Sequence, residues 1–175
     1  MSTAAASLLV LVGKHFACIK IVGRANFTLS IDFKTLLVGL RQKGYDYFVI
    51  ELSECLLMDS TFLGVLAGFG LKMSQADGNV PASPVELRNP NARVTELIEN
   101  VGVLHLFKVA QGPLSAPEAL ETCATEAVHP SREEITRACL EAHQTLMEIN
   151  PENVTRFKEV TRFLAEDLQK LKDRK

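Results

Sequence analysis

The chain has 175 residues, 47% of them hydrophobic and 23% charged, with a formal net charge of −2. This length is typical of one ordinary domain with an appendage, and the near-neutral charge gives no support for nucleic-acid binding. The sequence has no run of about 18 apolar residues, the length that would predict a membrane-spanning helix.

Hydrophobic periodicity predicts alternating strands and helices up to Gly112. The apolar segment Ala4–Gly13 is not preceded by a basic residue, so a first strand in a cytoplasmic protein is favoured over a signal peptide. The predicted elements, in chain order, are strand Leu8–Val12, strand Ala17–Val22, helix Asp32–Lys43, strand Tyr47–Leu52, helix Ser60–Ala76, strand Val85–Arg88, helix Asn91–Val101 and strand Leu106–Val109. Such alternation predicts an α/β domain, residues 1–112, with a mostly buried sheet.

The character of the chain changes after Gly112, where residues 113–130 read as a linker. Ser131 and Glu134 have the spacing of a capping box, and Pro151 suits the first position of a second helix. Residues 131–175 are therefore predicted to form an αα-hairpin with an apolar stripe on each helix. Three explanations are open for the apolar stripes. The two helices pack on each other and on the domain, they form a homodimer interface, or they dock a partner.

The polar residues that could carry catalysis do not form a recognisable motif. The four cysteines lie far apart without metal-ligand spacing, which indicates reduced thiols and predicts neither a metal nor a cofactor. No histidine lies close in sequence to Ser60 or to a cysteine. Glu51 and Glu54, which flank Cys55 near a strand end, are more typical of rim charges. A small enzyme or ligand-binding protein that uses Cys55 or Glu51 is therefore only an alternative to a protein-binding regulator.

The segment Leu57–Gly64 connects a buried strand to a helix that is apolar on almost every face. Asp59 is predicted to cap this helix, with a contribution of about 1 kcal/mol. Ser60 then lies in the first turn, where the helix field favours a phosphate. This position favours a phosphorylated switch over a nucleophile, and the added charge would act mainly on a partner packed against the surface.

The residues Met58–Gly64 resemble the M-D-S-S-G-L-G segment of STAS domains, the anti-sigma factor antagonist family. Asn89–Ile98, Val101–Val103 and Leu106–Phe107 resemble the last helix and strand of that family, so the resemblance covers about residues 7 to 110. It implies a STAS-like mixed sheet with helices mainly on one side. The C-terminal hairpin lies outside the resemblance.

The resemblance also implies a function. In that family a partner serine kinase, itself the anti-sigma factor, phosphorylates the serine after the motif aspartate and thereby ends binding. By position the acceptor is Ser60, Asp59 is its capping neighbour, and Thr61 is a second candidate acceptor. The alternative is a STAS scaffold subunit that is not phosphorylated, in a larger assembly such as a transporter-associated complex.

Two departures from the family pattern fall on the expected partner surface. Phe62 stands where the family usually has glycine, so its ring either fills the core or anchors a partner. Gly23–Phe27 replaces an acidic stretch found in many members, and here Arg24 is basic. Phe62, Arg24 and Asn26 are therefore the predicted partner contacts.

Overall fold

The computed structural model describes residues 6–75, 84–114, 121–123 and 129–175. The strands are β1 (Ser7–Val12), β2 (Phe16–Ala25), β3 (Tyr47–Glu51), β4 (Cys55–Met58), β5 (Val85–Arg88), β6 (Lys108–Ala110) and β7 (Glu121–Cys123). The helices are α1 (Phe27–Gln42), α2 (Ser60–Gln75), α3 (Ala92–Val101), α4 (Arg132–Ile149) and α5 (Asn153–Asp173). Among the helices so described, none is long and apolar enough to cross a membrane.

The strands form a mixed sheet in the order β6-β5-β3-β2-β1-β7. The strands β2, β3, β5 and β6 run parallel, whereas β1 is antiparallel to both β2 and β7. The long strand β2 pairs with β3 along its first half and with β4 along its last residues. The predicted mixed α/β fold is thus confirmed, and the carboxyl ends of β2 and β4 lie side by side.

The second strand and the first helix are both longer than predicted. Strand β2 continues to Ala25 past a register shift at Gly23, whose φ of 84° is readily accessible only to glycine. Helix α1 begins at Phe27 because the side chain of Asn26 accepts a hydrogen bond from Leu29 N (3.0 Å). Strand β4 was not predicted. It pairs with the last residues of β2, and the prediction ended β2 before those residues.

The region after α3 also differs from the prediction. A 3-10 helix occupies Leu104–Leu106, so β6 begins at Lys108 instead of Leu106. The segment predicted as a linker, 113–130, contains β7, which pairs with β1. The three residues of β7 are too short a pattern to predict a strand from sequence. The strand exists because it pairs with β1.

The predicted C-terminal hairpin is present, and the capping box that opens α4 is confirmed. Ser131 Oγ accepts from Glu134 N (3.2 Å), and Glu134 Oε2 accepts from Ser131 N (2.6 Å). Helix α5 begins at Asn153, two residues after the predicted Pro151. The hairpin packs on the domain through buried residues of both helices, among them Leu146 and Phe157. Other predicted stripe residues remain exposed, namely Val154 and Val160.

Candidate switch site at the start of helix α2

Asp59 joins the two helices that begin beside each other at the ends of β2 and β4. Its Oδ1 accepts from Phe62 N (2.8 Å) in α2, and its Oδ2 accepts from Phe27 N (2.7 Å) in α1. Its own N–H donates to Ala25 O (2.9 Å). Two helix N-termini therefore converge on one carboxylate, and their combined field favours negative charge next to Ser60.

We expect Asp59→Ala to lower the free energy of unfolding by about 1–2 kcal/mol, since amides of both helices lose their acceptor. Asp59→Asn is the matched variant. The single side-chain oxygen of asparagine can accept from only one of the two amides. The free energy of unfolding should therefore fall by roughly half as much in this variant. Urea unfolding followed by circular dichroism measures both changes. Equal stability of Asp59→Ala and the unmodified chain would show that the double cap contributes nothing.

Ser60 is half-buried, and its hydroxyl contacts a histidine that lies 83 positions later in the chain. Ser60 Oγ and His143 Nε2 are 2.8 Å apart, while His143 Nδ1 lies 2.6 Å from Cys139 O. A carbonyl oxygen only accepts, so Nδ1 carries a proton; in the tautomer with its single proton there, Nε2 accepts from the Ser60 hydroxyl. The ring is 5% exposed and lies edge-on against Phe157. Sequence spacing gave no signal for this pair.

Thr61 and Gly64 extend the contact between α2 and α4. Thr61 is buried, and it lowers the pKa of the Cys139 thiol on α4, although burial of that thiol raises the pKa overall. A Cβ on Gly64 would lie 2.5 Å from Ala142 O, so glycine permits the close approach of the two backbones. Helix α4 thus covers the first half of α2, and Thr61 is not open to an external kinase in this conformation.

The structure decides between the two interpretations of Phe62. Its ring is 0% exposed and stacks on Phe33 with ring centroids 4.5 Å apart, so it fills the core and the prediction of a partner contact is wrong. Phe27, which sequence reasoning missed, is 45% exposed beside Asp59. Arg24 is exposed at the end of β2. Asn26 lies next to them, although its side-chain oxygen serves as the α1 cap.

The residues of the enzyme alternative are committed to structural roles. Cys55 is buried, and burial raises the pKa of its thiol, which disfavours the reactive thiolate. Glu51 Oε1 accepts from Ser53 N (2.8 Å), and Asn89 Nδ2 donates to both Glu51 oxygens. No group of three or more metal-ligating side chains is found within the described ranges.

Comparisons with solved structures identify the fold. A candidate anti-sigma factor antagonist from Thermotoga maritima is 20% identical, with a TM-score of 0.51 over 58% of this chain and 83% of that one. The chain has a STAS-type fold. The anti-sigma factor antagonist SpoIIAA in its unphosphorylated form is 17% identical, with a TM-score of 0.50 over 61% of this chain and 88% of that one. The STAS-type similarity is structural, since neither a family model nor a curated protein matches the sequence.

Proposed function

We propose that the chain is a cytoplasmic, protein-binding regulator of the anti-sigma factor antagonist type. Its switch is phosphorylation of Ser60 by a partner serine kinase that also acts as the anti-sigma factor. The observation that carries this proposal is the position of Ser60, directly after Asp59, where two helix N-termini converge at the edge of a STAS-type fold. A hydroxyl in that field is well placed to bear a phosphate.

The exposed residues around Ser60 favour a protein partner. Phe27 and Leu56, at 45% and 61% exposed, are large apolar side chains near the site, and Arg24 adds a positive charge. Exposed aromatic and basic side chains of this kind are common anchors of interfaces. Phosphorylation adds about −1.5 to −2 charges. Asp59 opposes that charge while the helix termini favour it, so the main effect falls on the partner's contacts.

The phosphorylation itself is tested with purified chain, its cognate kinase and ATP. Ser60 Oγ attacks the γ-phosphorus, the bond to ADP breaks, and the hydroxyl proton is lost to the kinase's base or to water. Mass spectrometry should find one added phosphate, located on Ser60 by peptide mapping. Ser60→Ala should gain no phosphate, whereas Thr61→Val, which retains the shape of a buried side chain, should still be phosphorylated.

Phosphate uptake by Ser60→Ala, or none by the unmodified chain, would overturn this assignment. Affinity capture with Ser60→Ala and Ser60→Asp as baits distinguishes the switch from the scaffold alternative. A switch predicts that only Ser60→Ala retains the kinase. A scaffold predicts the same partners for both baits.

A further inference from the structure

Helix α4 covers part of the α2 surface next to Ser60. It touches Ser60 through His143 Nε2 (2.8 Å) and approaches the backbone of α2 at Gly64. A partner that recognises the unmodified Ser60 hydroxyl therefore meets a surface that is already occupied. The occupant belongs to the same chain, in the hairpin at 132–173.

Helix α4 packs less extensively on α1 than on α2. The Lys34–Glu141 pair spans 3.5 Å with both side chains half exposed, and pairs of this kind contribute little to stability. A groove of about 440 Å³ separates parts of α1, α2 and α4, with Val65, Phe69 and Ala138 among its lining residues. Since protein cores are close-packed, this groove indicates that the packing of α4 against α1 is incomplete.

The far end of the hairpin is attached to α3 by side-chain hydrogen bonds. Asn153 Nδ2 donates to Val101 O (3.0 Å) and to Leu146 O (2.8 Å), and Asn150 Nδ2 also donates to Val101 O (3.2 Å). Leu146 is fully buried. The hairpin can therefore remain attached beside α3 while its contact with the start of α2 opens.

Phosphorylation would remove the hydrogen bond that links Ser60 to α4. In the neutral ring of His143, whose single proton on Nδ1 donates to Cys139 O, the hydroxyl hydrogen of Ser60 is the donor of that bond. In phosphoserine the Oγ–P bond takes the place of the O–H bond, so the donor is lost. The 2.8 Å separation also leaves no room for a phosphate between Oγ and the buried ring.

We propose that α4 is the resident occupant of the α2 surface, that an external partner competes with it there, and that a phosphate on Ser60 displaces it. The surface formed by Ser60, Thr61 and Gly64 accepts a helix with a small residue at the crossing and an acceptor opposite the serine, as Ala142 and His143 provide. The inference rests on the proposed function only for the source of the phosphate.

The test uses the full chain with phosphoserine incorporated at position 60 during synthesis, so that no kinase is involved. Hydrogen exchange of α4 amides should become about five- to tenfold faster, the change expected when one hydrogen bond of ordinary strength is lost. Exchange in α3 should not change. Phosphoserine at exposed Ser53, outside α2, is the matched control and should leave α4 unaffected.

Two substitutions separate the hydrogen bond from the added charge. His143→Phe retains a ring against Phe157 but has no acceptor, so it should accelerate exchange in α4, whereas His143→Gln, with an acceptor oxygen, should retain protection. Unchanged or slower α4 exchange with phosphoserine at position 60 would overturn the proposal. Slower exchange would mean that the phosphate pairs with a protonated His143 and tightens the contact. Since the phosphate is built in, a failure here is distinct from failure of Ser60 as a kinase substrate.

Discussion

Phe62→Ala is expected to lower the free energy of unfolding by about 3–5 kcal/mol, the usual cost of truncating a buried aromatic ring. The ring is fully buried and stacks on Phe33 at an interplanar angle of 24°. Its removal leaves a cavity between α1 and α2, where a well-packed core relaxes only in part. Urea unfolding monitored by circular dichroism measures the loss.

Phe163→Ala is the matched control, since the same ring is 58% exposed on α5 and its loss should cost no more than about 0.5 kcal/mol. Similar costs for the two variants would contradict a core position for Phe62. The pair also tests partner binding. The Phe62 ring does not reach the surface, so the folded Phe62→Ala variant should bind a partner normally. Any loss of apparent affinity should equal the fraction of the variant that is unfolded.

Gly64→Ala is expected to push α4 away from α2 and to accelerate hydrogen exchange in α4 by about 10- to 100-fold. The new Cβ would lie 2.5 Å from Ala142 O and 2.7 Å from Ala142 Cβ, so one backbone must move. Overpacking of this kind costs about 1–3 kcal/mol, more than alanine's gain over glycine inside a helix, about 0.5–1 kcal/mol.

Two other glycines provide a graded control. A Cβ on Gly39 in α1 meets no atom within 4 Å, so Gly39→Ala should stabilise the chain by about 0.5–1 kcal/mol without affecting α4. A Cβ on Gly68 would lie 3.3 Å from Thr145 Cγ2, a side chain able to adjust, so Gly68→Ala should fall between the two. If Gly64→Ala behaves like Gly39→Ala, the close contact of α4 with α2 does not exist in solution.

The features predicted correctly from the sequence depend on neighbouring residues. The Asp59 cap and the Ser131–Glu134 capping box each join groups three positions apart, so a short pattern contains both partners. Helix α2 begins at Ser60, as predicted, because its apolar run follows directly on that cap. Local chemistry alone is sufficient for elements of this kind.

Several of the features that were missed depend on residues far apart in the chain. Strand β4 exists because its residues pair with the end of β2, and β7 exists because β1 accepts it. Phe62 could equally have faced a partner, and only its stacking on Phe33 in another helix places it in the core. Periodicity within one segment contains no information about which distant segment supplies the pairing or the packing partner.

Ser60 combines features that the sequence predicts with contacts that it does not. The sequence by itself determined that a capped hydroxyl begins an apolar helix after a strand, because the cap and the helix are local. Only the tertiary structure brought the N-terminus of α1 onto the same aspartate and His143 onto the same hydroxyl. Those contacts arise where helices from distant parts of the chain bury their apolar faces together, and they show that the candidate acceptor also contacts the C-terminal hairpin.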